Sequence, residues 1–147
     1  MLHTPNFGRT VPRPVAPHSA PSSAHAPLTP AAYVALRRKA AGLSVEQVAE
    51  RLSRRACDQA EIRALVRQLE TPGITARHVS SLDILRDAFP LDPNVYFQLA
   101  FEPVDRHPRV CRGCGCSHWD LCDRGEAGSC TWASEEICTR CTVGELL

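Results

Sequence analysis

Seven of the chain's eight cysteines stand at positions 111, 114, 116, 122, 130, 138 and 141, inside a stretch of 31 residues. So short a stretch has almost no apolar interior, and its thiols must hold it together, either paired as disulfides or gripping a metal. A disulfide framework uses cysteines in even numbers and needs an oxidising compartment. Here the number is odd, and the opening thirty residues, MLHTPNFGRTVPRPVAPHSAPSSAHAPLTP, hold no continuous apolar stretch of the secretory kind. The expectation is a reduced, cytoplasmic chain with a metal-bound module over 111–147.

The spacing supports that choice. CRGCG at 111–115 is a CxxC pair followed by glycine, CTRC at 138–141 is a second CxxC, and 23 residues separate the two. Two such knuckles facing each other make a closed tetrahedral zinc site from Cys111, Cys114, Cys138 and Cys141. Cys116, Cys122 and Cys130 remain, and with His118 they have the composition of a second, Cys3His zinc site. The cysteines suit an iron–sulfur cluster as the alternative cofactor. His107 is a further imidazole nearby, read as an exposed linker residue. Trp119 and Trp132, the only tryptophans, fall in the same segment and are expected to supply its scant core. Stacking on a nucleic-acid base is the other use for such rings, but this segment carries six acidic residues against three arginines. Cys57, the eighth cysteine, stands alone and reads as incidental.

The rest of the chain divides by texture. Residues 1–28 are rich in proline and alanine and contain no acidic group, a composition that favours extended, disordered chain. Helical periodicity begins at Thr29–Pro30, an N-cap and first-turn pair. Tyr33, Leu36 and Ala40 share a face of the first helix, and Gly42 stops it. Ser44 and Gln47 form a capping box for a second helix with Val45, Val48, Ala49 and Leu52 inward. Asp58 and Glu61 repeat that logic for a third, whose stripe is Ile62, Leu65, Val66 and Leu69, closed by TPG at 71–73. A fourth is expected from Thr75 with Val79, Leu82, Leu85 and Phe89 inward, and Asp92–Pro93 starts a fifth containing Val95, Tyr96 and Leu99. No segment alternates with period two, so an all-α domain is expected over 29–102, joined through a linker at 103–110 to the Cys-rich module. No apolar run is long enough to cross a membrane.

LRRKAAGLSVEQVAERL (36–52) resembles helices one and two of the Cro/repressor-type, or XRE-like, helix-turn-helix domain. VRQLETPG (66–73) resembles the end of that family's recognition helix and the loop after it, and SSLDILRDAFPLDPNVYFQL (80–99) resembles helices four and five. The resemblance implies a five-helix fold that places helix three in the major groove of duplex DNA, commonly as a two-fold dimer. One departure lies at the centre of that function: SRRACDQA stands where the family turns tightly, usually on a glycine, so helix three is expected to be lengthened or displaced. Residues 30–71 carry eight basic against five acidic residues. Arg54, Arg55, Arg63 and Arg67 offset Asp58 and Glu61 toward phosphates, and Arg63, Arg67 and Gln68 have the chemistry to contact base edges. The Cys-rich segment is similar to a short tail, CxxCGC…C…CxW…CxxC, found on uncharacterised bacterial and phage-related proteins, which brings no established activity with it.

Nothing in the chain pairs a nucleophile with a base or leaves a three-ligand zinc site open beside a glutamate, so catalysis is not expected. A DNA-binding transcriptional regulator of bacterial or phage type, with the zinc module serving a protein partner or dimerisation, is the leading expectation. An adaptor that keeps the helical fold without DNA binding, and an iron–sulfur or redox-sensing regulator, are the alternatives.

Overall fold

The structure, a computed structural model, describes residues 25–123 and 125–142. The tail expected to be disordered lies outside the described residues except for its last four, 25–28. These run alongside the Cys-rich segment: the Arg112 guanidinium donates to the Ala26 carbonyl at 2.6 Å, and Leu28 packs on the helical core.

Five helices form the larger part: α1 (Pro30–Ala40), α2 (Val45–Leu52), α3 (Ala56–Leu69), α4 (Val79–Arg86) and α5 (Pro93–Phe101). Among the described residues there is no β-strand. Each start has a local cause where the side chain permits one. Thr29 accepts from the Ala32 amide at 3.1 Å, Asp92 caps α5 through the Asn94 amide at 2.8 Å, and Ser44 with Gln47 closes a reciprocal box on α2. The core lies between the helices, with Tyr33, Val34, Val48, Val66, Leu82, Leu85, Val95 and Tyr96 fully buried. Both tyrosine hydroxyls accept from backbone amides at the core's edge, Tyr33 from Asp92 at 3.0 Å and Tyr96 from Ala76 at 2.9 Å.

Two boundaries differ from the sequence expectation. Helix α3 begins at Ala56, ahead of the Asp58–Glu61 pair, and its N-cap Arg55 makes no side-chain cap. The connection from α2 is therefore three residues, 53–55, tight and without glycine, and the rest of SRRACDQA forms the first turn of α3, which runs for 14 residues. Helix α4 begins at Val79: the chain from Ile74 to His78 is not helical, and the Ala76 amide there donates to the Tyr96 hydroxyl. Val79 itself is 50% exposed rather than inward.

The chain from 103 to 110 makes a 3-10 turn at Val104–Arg106 and then enters the core at Val110. Beyond it, isolated antiparallel bridges (Val110 with Ser117, Asp123 with Ser129, Trp132 with Cys138) and the short α6 (Thr139–Thr142) fold the Cys-rich segment back on itself.

Candidate metal centre

The six sulfurs of Cys111, Cys114, Cys116, Cys122, Cys130 and Cys138 are buried, and Cys141 is half-buried beside them. The first knuckle is built by backbone bonds: the Cys111 amide donates to the Cys116 carbonyl and the Gly115 amide to the Cys111 carbonyl, both at 2.8 Å. Gly115 needs its φ of +77° to close this turn. Gly113 is required for a different reason, since a Cβ there would stand 2.7 Å from the Cys141 Sγ. The second knuckle approaches through the Trp132–Cys138 bridge, and the Cys138 amide donates to the Cys111 Sγ at 3.3 Å. The Gly113 amide reaches the same sulfur at 3.4 Å, and the Cys122 amide reaches the Cys130 Sγ at 3.2 Å.

Sulfur–sulfur separations define the site. Cys111 to Cys141 and Cys138 to Cys141 are 3.6 Å, and Cys114 to Cys138 and Cys116 to Cys130 are 3.8 Å. A metal with four sulfurs at about 2.3 Å has tetrahedron edges of about 3.8 Å. Cys111, Cys114, Cys116 and Cys138 lie within 4.8 Å of one another, as do Cys116, Cys122, Cys130 and Cys138. This buried cluster can hold a metal ion. All seven cysteines expected as ligands come together, although the two groups interlock instead of standing apart. His118 is not among them: it is exposed, with its ring edge-on to Trp119. His107 is occupied elsewhere, 2.9 Å from the Glu102 carbonyl.

So many thiols cannot all ionise side by side without a cation. Hydrogen bonds from Cys114 and Cys116 hold Cys111 far below the ordinary thiol range, and that same bond to Cys111 pushes Cys114 and Cys116 upward. Burial, together with Cys111, raises Cys141 to about 12, and burial also raises Cys130. At Cys122 burial works against ionisation, but bonds from Cys114, Cys116, Cys130 and Arg140 outweigh it and lower the thiol. A bound metal cation would relieve this conflict by stabilising the thiolates together.

The tryptophans divide. Trp132 packs on the cysteines beneath the Arg109 guanidinium, whose carbon lies 4.1 Å from the ring centroid. Trp119 is 66% exposed and adds little to a core. Sequence reasoning missed the groups that seat this module on the helices. Arg37 of α1, 6% exposed, donates to the Pro90 carbonyl at 2.9 Å and pairs with Asp120 of the module. Ala40 of α1 packs against the cysteines. Nothing near Arg37 in the sequence announces this role, since Asp120 lies 83 residues away.

The residues expected at DNA are displayed on and before α3. Arg54, Arg55, Arg67 and Gln68 are exposed and Arg63 is half-buried. Arg55 lies 3.6 Å from Asp58 and Arg67 lies 3.1 Å from Glu46. No helix among the described residues is long and apolar enough to cross a membrane. No protein-family model, no curated protein and no solved structure matches the chain.

Proposed function

We propose that this chain is a small DNA-binding transcriptional regulator, a Cro/repressor-like helical domain that lays α3 in the major groove, with a zinc-bound Cys-rich module for partner binding or dimerisation. The observation that carries the reading is the connection between α2 and α3. Three residues, 53–55, join two helices that pack directly on each other, and this is the turn length a helix-turn-helix uses. Arg54 and Arg55 occupy that turn, where they can meet phosphates, and Arg67 and Gln68 project from the exposed side of α3, where base edges would lie. Zinc is favoured over an iron–sulfur cluster by the 3.6–3.8 Å sulfur spacings. Those are the edges of a tetrahedron around one ion, whereas a four-iron cluster spreads its ligands around a cube.

Binding to duplex DNA over a salt series tests the reading. Affinity should fall steeply between about 50 and 200 mM salt, and Arg54→Ala and Arg55→Ala should weaken binding to every sequence while lowering the salt slope by about 1 each. Arg67→Ala and Gln68→Ala should instead flatten sequence preference in a selection from random duplexes. No binding at about 50 mM salt ends the proposal. A second reading, an adaptor that binds protein through the same helix, draws on the ion pairs that already occupy Arg55 and Arg67. It also draws on the exposed ridge of Ala56, Cys57, Ala60, Glu61 and Ala64, which offers DNA no cation.

A further inference from the structure

We infer that the seven cysteines hold two metal ions as two tetrahedra sharing one corner, the sulfur of Cys138. The inference rests on the metal-binding part of the reading above and is independent of DNA. Two separate tetrahedral sites need eight ligands; His118, the eighth that the spacing offered, is exposed and turned against Trp119. Seven sulfurs complete both tetrahedra when one belongs to each.

Cys138 is the sulfur that meets this requirement. Cys141 lies 3.6 Å from both Cys111 and Cys138, and Cys114 lies 3.8 Å from Cys138, which gives the first ion the set Cys111, Cys114, Cys138 and Cys141. Cys138 is also within 4.8 Å of Cys116, Cys122 and Cys130, which are mutually as close and form the second set. The alternative, an edge shared by Cys116 and Cys138, would need only six sulfurs and would leave Cys141 without a metal despite its tetrahedral spacing. The amide bonds agree with the assignment. They end on Cys111 and Cys130, one terminal sulfur of each set, and among the described residues no backbone amide donates to the Cys138 sulfur. A terminal thiolate keeps lone pairs for such donors, whereas a bridging one spends them on its second metal. The 3.3 Å contact between Cys114 and Cys122 joins corners of the two neighbouring tetrahedra, the crowding that a shared corner imposes.

The test uses the full chain with its metal exchanged for cadmium-113, followed by native mass spectrometry and cadmium NMR. Two cadmium ions per chain are expected, with two resonances of equal intensity in the all-thiolate range, each split by the other through the common sulfur. His118→Ala should leave both resonances in place, and Cys141→Ser should move one strongly and the other little. One ion per chain, two unsplit resonances, a shift on His118→Ala, or indifference to Cys141→Ser each overturns the shared-corner centre. A reduced chain that takes up no cadmium overturns the metal reading with it, so the two failures are told apart by the ion count. Because the decisive splitting is read in the unsubstituted chain, misfolding of Cys138→Ser would not shield the proposal.

Discussion

Arg38 shows how much of this fold rests on single buried groups. Its guanidinium grips Glu70 with two bonds of 2.6 and 2.8 Å and donates a third to the Leu43 carbonyl at 2.7 Å, tying the end of α3 to the α1–α2 corner. Removing one partner strands the other charge where water barely reaches, so Glu70→Gln or Arg38→Met should cost about 3 kcal/mol by denaturant titration. A loss below about 0.5 kcal/mol would mean the pair is solvated in solution. Tyr33 gives a pH signature. Burial raises its phenol to about 12 despite the Asp92 amide that favours ionisation. A raised pKa means that the stability from keeping this group neutral is complete below pH 10 and is lost as pH climbs through 12, by about 2 to 3 kcal/mol. Tyr33→Phe should lack that part of the alkaline loss, which paired unfolding curves between pH 9 and 12 would measure. The difference in legibility at this scale is one of range. Ser44 and Gln47 announce their capping box because the partners are three residues apart, whereas nothing local distinguished Arg37 and Arg38, buried among distant partners, from exposed Lys39 beside them.

Among the elements, the five helices, their order and, Val79 excepted, their inward stripes were readable, because apolar residues at three- and four-residue spacing need a common face whatever the tertiary arrangement. Two starts were not, and at α3 the reason is that a competing contact took the residue that looked like the cap. Asp58 accepts from the Ser53 hydroxyl at 3.1 Å, and that hydroxyl also takes the Arg55 amide at 3.1 Å, so the turn consumes the supposed cap and α3 starts earlier. The Gln59 amide group finishes the turn on the Ser53 carbonyl at 2.9 Å. Ser53→Ala removes two of these bonds and should lower stability by about 1 to 2 kcal/mol. Ala60→Glu tests the face of α3 without disturbing its packing, because Ala60 is exposed. Stability should change by less than about 0.5 kcal/mol, while affinity for duplex DNA at low salt should drop at least about tenfold through repulsion of phosphates. Unchanged affinity would move the contact surface off α3.

In the whole molecule the Cys-rich segment is seated on α1, and spacing alone could not have placed it there. Knuckle pairs announce a metal because the chemistry demands thiolates close together in sequence; the Arg37–Asp120 pair and the fit of Gly115 over α1 are products of tertiary approach. A Cβ on Gly115 would stand 2.7 Å from the Arg37 Cδ and 3.3 Å from the Leu36 Cβ, on a backbone whose φ already favours glycine. Metal binding to the module should therefore stabilise α1 as well, since an ordered knuckle is what covers Arg37 and Ala40. Chelating the metal under reducing conditions should speed hydrogen exchange at the amides of residues 36–40 by at least about tenfold, with a smaller change in α4, none of whose apolar residues is among the described ones packed against the cysteines. Gly115→Ala should raise exchange at the same α1 amides while metal is still bound, because it displaces the module without removing a thiol. If chelation leaves α1 protection as it was, the two parts are joined only by the chain, and Arg37 keeps its place through the Pro90 carbonyl alone.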